Sequence, residues 1–134
     1  MAYWLLKTEP STYSYSDLER DGKTVWDGVT NNLALKHIRS MARGDLAFVY
    51  HTGNEKAIVG IAEVASAPYP DPKKKQENLV VVDLKPKRRL QRPISLSDIK
   101  ARKEFAQFAL VRLPRLSVMP VADEIWHALL GLSK

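Results

Sequence analysis

Apolar residues in this chain recur mostly at every second position or in short branched runs, and at helical spacing only in brief stretches. Tyr3 to Glu9 mixes aromatic and aliphatic residues and stops at Pro10, which predicts a buried strand. Ser14 or Ser16 is placed to cap a short helix through Leu18 and Arg20, ended by Asp21-Gly22. Leu33, Leu35, Ile38 and Met41 form an imperfect helical stripe that leaves Lys36, His37 and Arg39 off it. Leu46–His51 and 56–65 predict two strands of a hairpin, joined by the turn formers His51-Thr52-Gly53-Asn54. Gly60 interrupts the second of them and predicts a bulge or a close backbone approach.

Farther along, Pro68 to Lys75 is proline-rich and then basic, and is expected to be an extended loop and the most mobile piece of the chain. Leu79 to Leu84 is a branched, buried strand, and Lys85 to Arg92 adds five basic residues around Pro86. Ser95 with Asp98 resembles a capping box. Phe105, Phe108 and Leu110 supply core. Leu116 to Pro120 predicts a strand, and Ala122-Asp123-Glu124 opens a last helix with Ile125, Trp126, Leu129 and Leu130 inward, ended by Gly131. At least five short strands and four short helices result, without a β-α-β rhythm. That argues against a doubly wound parallel sheet and for a small mixed barrel with helices at its mouth.

The 134 residues are one ordinary domain, 1–134, with no internal repeat. A hydrophobic share of 45% supports a core. With no cysteine, disulfide and thiol chemistry are excluded and a reducing compartment fits, so a cytoplasmic location is expected. Met1 to Lys7 lacks a basic leader and reads as the start of the first strand, and no apolar run is long enough to span a membrane. The formal charge of +6 and pI near 9.6 suit a nucleic-acid binder, and equally a protein with surplus surface lysines.

The chemistry concentrates in Val25-Trp26-Asp27-Gly28-Val29-Thr30-Asn31-Asn32. An indole can stack a planar ligand. Gly28 permits a tight turn or a close approach to a bound group. Asn31 or Asn32 can cap the following helix, and an amide can also pair with a base edge. Lys7 and Glu9 share one face of the first strand, as a surface ion pair or as the polar rim of a pocket. No phosphate-binding glycine loop or nucleophile elbow exists, and His37, His51 and His127 lack metal-ligand spacing. No cofactor and no metal are therefore expected. Lys36, Arg39, Lys73, Lys74, Lys75, Arg88 and Arg89 are candidate phosphate contacts, although solvated surface explains such charges equally well.

Several segments together carry a resemblance: Trp4-Leu5-Leu6-Lys7-Thr8-Glu9-Pro10, Trp26-Asp27-Gly28-Val29-Thr30-Asn31, Gly44 to Thr52, Gly60 to Val64 and Arg115 to Val121. In this order they resemble the EVE domain family over nearly the whole chain. The resemblance implies an α+β, PUA-like mixed β-barrel of five or six strands with short peripheral helices. It also implies a pocket for nucleic acid, DNA or RNA, carrying a modified base such as a methylated or hydroxymethylated cytosine. The family motif maps onto Trp26, Asp27, Gly28 and Asn31, with Thr30 where the family has arginine, which removes a cation able to grip a phosphate or a base edge. Tyr50, His51 and Thr52 match a second element, Lys7 to Pro10 a third, and Ser117 a fourth.

The expected function is a non-enzymatic, monomeric module holding a flipped modified base. Trp26 is its stacking platform and Tyr50 or Trp4 a second wall, with Asn31, His51, Lys7 and Ser117 reading the base edge. The alternative is an enzyme acting on a nucleobase or nucleic acid, as in ASCH relatives, with Lys7, Glu9, His51 or Asp27 as acid or base. A third reading is a pocket for a peptide or small metabolite.

Overall fold

A computed structural model describes residues 1–74, 76 and 78–134. Seven strands form one curled, half-barrel sheet: β1 (Tyr3–Thr8), β2 (Thr24–Trp26), β3 (Leu46–His51), β4 (Ala57–Val64), β5 (Tyr69–Pro70), β6 (Val80–Ser95) and β7 (Val118–Val121). Five helices surround it: α1 (Tyr15–Asp21), α2 (Asn32–Arg39), α3 (Leu96–Lys100), α4 (Ala109–Arg112) and α5 (Asp123–Leu132), with a 3-10 turn at Lys103–Phe105. The strand order is β2-β6-β4-β3-β1-β7, with β5 paired to β6. Among the described residues only the β1–β3 pair is parallel. Trp4, Leu5 and Leu6 are all buried, so the first strand is covered on both faces.

The number of strands exceeds the expected five or six because β2 and β5 are short pieces of segments that read as loops. Each is held by β6, which continues through its basic stretch to Ser95 instead of ending at Leu84. The proline-rich segment is accordingly anchored: Tyr69 donates to Asp83 Oδ1 at 2.5 Å, and the buried Asp71 accepts from the Lys73 amide at 2.9 Å. The hydrogen bond to the Asp83 carboxylate, followed by burial, pushes the Tyr69 phenol up to about 12. Lys75, one of the candidate phosphate contacts, lies outside the described residues.

Helix ends follow local chemistry. Ser14 caps α1 in a full capping box with Asp17, and Gly22 closes it at φ 74°. Asn31, not Asn32, caps α2. Ser95 caps α3 by accepting from the Asp98 amide. Two expectations fail. Leu33 is 42% exposed, because α2 buries Ala34, Leu35 and Ile38 against the sheet and turns Leu33 off that face. Gly131 lies inside α5, which ends at Leu132, since a helical glycine costs only about 1 kcal/mol against alanine.

Three contacts fix the core. Trp126 on α5 stacks between Phe48 (3.8 Å between centroids) and Tyr3 (4.3 Å). The buried Asp45 accepts from the Ala2 and Ala42 amides and from Trp4 Nε1, at 2.9 to 3.0 Å. Burial opposes its ionisation, but the Trp4 indole, the two amides and the N-terminal ammonium together hold its carboxyl below the usual range. At Gly60 the ladder shifts register, and the Tyr15 ring fills the space of the missing side chain. A Cβ there would lie 2.5 Å from a ring carbon.

Gly60→Ala is expected to destabilise the fold by about 1–3 kcal/mol, because Tyr15 is fully buried and its hydroxyl is tied to the Ile61 carbonyl at 2.7 Å. Urea denaturation measures it. Asp45→Asn should cost about 1.5–3 kcal/mol near neutral pH. Because the folded carboxyl titrates below its unfolded value of about 3.9, the contribution is complete above that pH and is lost as pH falls through the lower folded value. Denaturation curves of the two proteins should therefore converge in acid.

Candidate functional site

A cavity of about 780 Å³ opens between the two ends of the sheet. Lys7 and Thr8 reach it from the end of β1, and Ser117 from the residue before β7. Thr24, Val25 and Trp26 come from β2, and Asp27 to Asn31 from the loop beyond. Thr12, Tyr13, Lys23 and Lys73 complete the lining. The Lys7 amide donates to the Ser117 carbonyl at 2.9 Å, so these two residues are in fixed register. Gly28 has φ 80° with open space where a side chain would stand, so its glycine serves the turn and not a close approach.

The lining presents two aromatic surfaces at right angles. Trp26 is 8% exposed, so a ligand reaches a limited part of the indole. Tyr13 stands edge-on to it, centroids 6.3 Å apart at 83°. Its hydroxyl donates to Asp21 at 2.9 Å, and its phenol is raised, first by burial and then by that carboxylate. Sequence gives no signal that Tyr13 lines a pocket, because an aromatic in a polar loop has no periodicity to place it.

Polar groups around the rings have defined roles. Asn31 Oδ1 accepts from the Ala34 amide at 3.0 Å, which commits the oxygen to the helix and leaves the amide NH2 as donor. Lys7 Nζ donates to the Pro114 carbonyl at 2.8 Å and keeps two further N–H groups. Burial lowers the Lys7 ammonium below its ordinary value. Thr8 spends its proton on the Tyr13 carbonyl at 2.6 Å and offers a lone pair. Asp27 is exposed and adds a carboxylate.

Six of the expected pocket residues thus meet at one cavity: Trp26, Asp27, Gly28, Asn31, Ser117 and Lys7. Four do not line it. Trp4 is buried with its N–H on Asp45, in a core position. Tyr50 is buried with the Lys7 ammonium 5.7 Å from its ring centroid. His51 accepts from the Tyr15 amide through Nε2 at 3.0 Å and faces Glu55 through Nδ1 at 2.7 Å, so both ring nitrogens are engaged. Thr52 continues the β1 edge, its amide donating to the Thr8 carbonyl at 2.9 Å. Glu9 also turns away, and Ser11 donates to it from both amide and hydroxyl. Those bonds, the hydroxyl's first, hold the Glu9 carboxyl below its ordinary value. Of Lys7, Glu9 and His51, only Lys7 lines the cavity.

Of the candidate phosphate contacts, Lys73 lines the cavity and Lys36 and Lys74 are exposed away from its lining. Arg39 donates to the Asn78 carbonyl at 2.7 Å. Arg89 bonds Ser16 and Glu19, and Arg88 lies with Gln91 and His127 at a different hollow. The sequence reading missed Thr12, Tyr13 and Lys23; for Lys23, its place just ahead of Trp26 was the available signal.

The family model for the EVE domain matches residues 2–132. Thymocyte nuclear protein 1 of Rattus norvegicus is 30% identical, over 98% of this chain and 74% of its own length. A Rhodopseudomonas palustris protein solved by NMR is 41% identical with a TM-score of 0.94, covering 99% of this chain and 93% of that one. The crystal structure of human THYN1 in complex with 5-methylcytosine-containing DNA is 27% identical with a TM-score of 0.92, covering 100% and 98%.

His51→Ala should lower stability by about 1–3 kcal/mol, since it strands the buried Tyr15 amide proton. A thermal melt monitored by circular dichroism checks this.

Proposed function

The chain belongs to the EVE domain family, and from that premise we propose that it is a non-enzymatic module that binds nucleic acid by taking one modified base, such as 5-methylcytosine, into the cavity beside Trp26. One observation carries the reading: aromatic surface, base-edge donors and base-edge acceptors converge on a single cavity with ample room for a nucleobase. Human THYN1, which shares the fold, is seen with 5-methylcytosine-containing DNA.

Cytosine offers an exocyclic amine as donor and a ring nitrogen and carbonyl as acceptors. Asp27 and Thr8 are suited to the first, and the Asn31 NH2 and Lys7 ammonium to the other two. Lys23 and Lys73 at the rim favour the phosphates on either side. Stacking on an aromatic contributes roughly 1–3 kcal/mol per base, and extruding a base costs a few kcal/mol, so the two nearly cancel. Net affinity then falls to the polar and phosphate contacts. A buried methyl adds about 0.8 kcal/mol, near a fourfold preference, so discrimination beyond that rests on fit around the base edge.

A panel of oligonucleotides, each with one modified base, tests the reading; at least one should bind several-fold tighter than its unmodified counterpart. Asn31→Asp keeps the helix cap but removes the donor NH2, so this preference should fall while the melting temperature stays near wild type. Equal binding of every strand by the wild-type protein would sink the proposal.

A further inference from the structure

A second hollow, of about 450 Å³, adjoins the cavity and shares Asn31 with it. Leu33 and Leu113 stand in it, 42% and 46% exposed, and they are two of the few large apolar side chains the fold leaves open. Arg112 and Arg115 flank them. No acidic residue lines this hollow, and among the described residues neither arginine takes part in an ion pair. Exposed leucine between two unneutralised guanidinium groups is ill suited to water alone, and well suited to a ligand with apolar faces and regularly spaced anionic charge.

The segment is also stiff and tied to the cavity. Leu113 donates to the Ala109 carbonyl at 2.7 Å, and the Leu116 amide closes a turn on the Leu113 carbonyl at 3.0 Å. Pro114 fixes the second position of that turn. Its carbonyl is the acceptor of the Lys7 ammonium at 2.8 Å, so one bond joins the cavity wall to the turn that carries Leu113 and Arg115.

We propose that this hollow receives the nucleotide next to the base held in the cavity, with Leu33 and Leu113 against its sugar and base and Arg112 and Arg115 on the neighbouring phosphates. The proposal rests on the nucleic-acid reading above. It extends the interface along the strand, toward α4 and away from Lys73, and gives it charges that sequence inspection assigned to other positions.

The test compares wild type, Arg112→Gln/Arg115→Gln and Leu113→Ser for binding to a DNA duplex with one central 5-methylcytosine and to its unmethylated counterpart, across a salt series. All the altered side chains are exposed, and unchanged melting temperatures confirm intact folds. Loss of two phosphate contacts should flatten the slope of log affinity against log salt by roughly 1.4–1.8, at 0.7–0.9 per contact. Leu113→Ser should weaken both duplexes by roughly tenfold, the burial of an exposed leucine. The ratio between methylated and unmethylated duplex should stay unchanged, because the cavity is untouched. Unaltered slope and affinity in the variants would overturn this inference alone. A wild-type protein that binds neither duplex overturns this inference for DNA, and one that also binds no strand of the modified-base panel overturns the base-reading function with it. A self-associated wild type that Leu113→Ser converts to monomer, with DNA binding intact, would make the hollow an interface between copies and overturn the proposal.

Discussion

Strands β2 and β7 are the two ends of one curled sheet, and among the described residues no ladder joins them. A fully closed barrel would satisfy its own edges, but this one is left open and must be covered. Helix α2 does the covering, packing on both β6 and β7 while burying Ala34, Leu35 and Ile38. The loop that leads into α2 therefore has to cross the gap, and it is the loop of Trp26 to Asn31. The cavity exists because backbone pairing stops there and side chains take over.

That arrangement explains the division of labour among polar groups. Those that face the gap have hydrogen-bonding capacity to spare: the NH2 of Asn31, two N–H groups of Lys7, the lone pairs of Thr8. Those one turn or one strand away are saturated. His51 is engaged at both nitrogens, and Asp45 receives three donors. In a low-dielectric interior an unpaired polar group is costly, so spare capacity survives only where a ligand or water can reach it.

Electrostatics reinforce the location. Lys7, Lys23 and Lys73 line the cavity with Asp27 as the acidic residue among the lining, and the adjoining hollow adds Arg112 and Arg115. Several cations elsewhere are paired with carboxylates: Arg20 with Asp17 and Asp21, Lys85 and Lys87 with Glu63, Arg89 with Glu19.

Residues 46–51 as a strand, a cap at Ser14 or Ser16 and another at Asn31 or Asn32, and the importance of Gly60 were all legible in sequence, because each depends on neighbours within a few positions or on a simple alternation; the structure chose Ser14 and Asn31. So was the motif that puts Trp26, Asp27, Gly28 and Asn31 on one loop. What could not be read is which distant side chains join them. Tyr13, in the loop ahead of α1, lines the cavity, whereas Tyr50, on β3, lies buried beside Lys7. Lys73 reaches the rim through β5 and its Tyr69–Asp83 bond, whereas the equally basic Arg89 is held by Glu19. Sequence alone determined local conformation and the chemistry on offer, because those follow from short-range sterics and spacing. Only the tertiary structure decided which of that chemistry faces the gap and which is consumed in the core, because that depends on register across a sheet that fails to close.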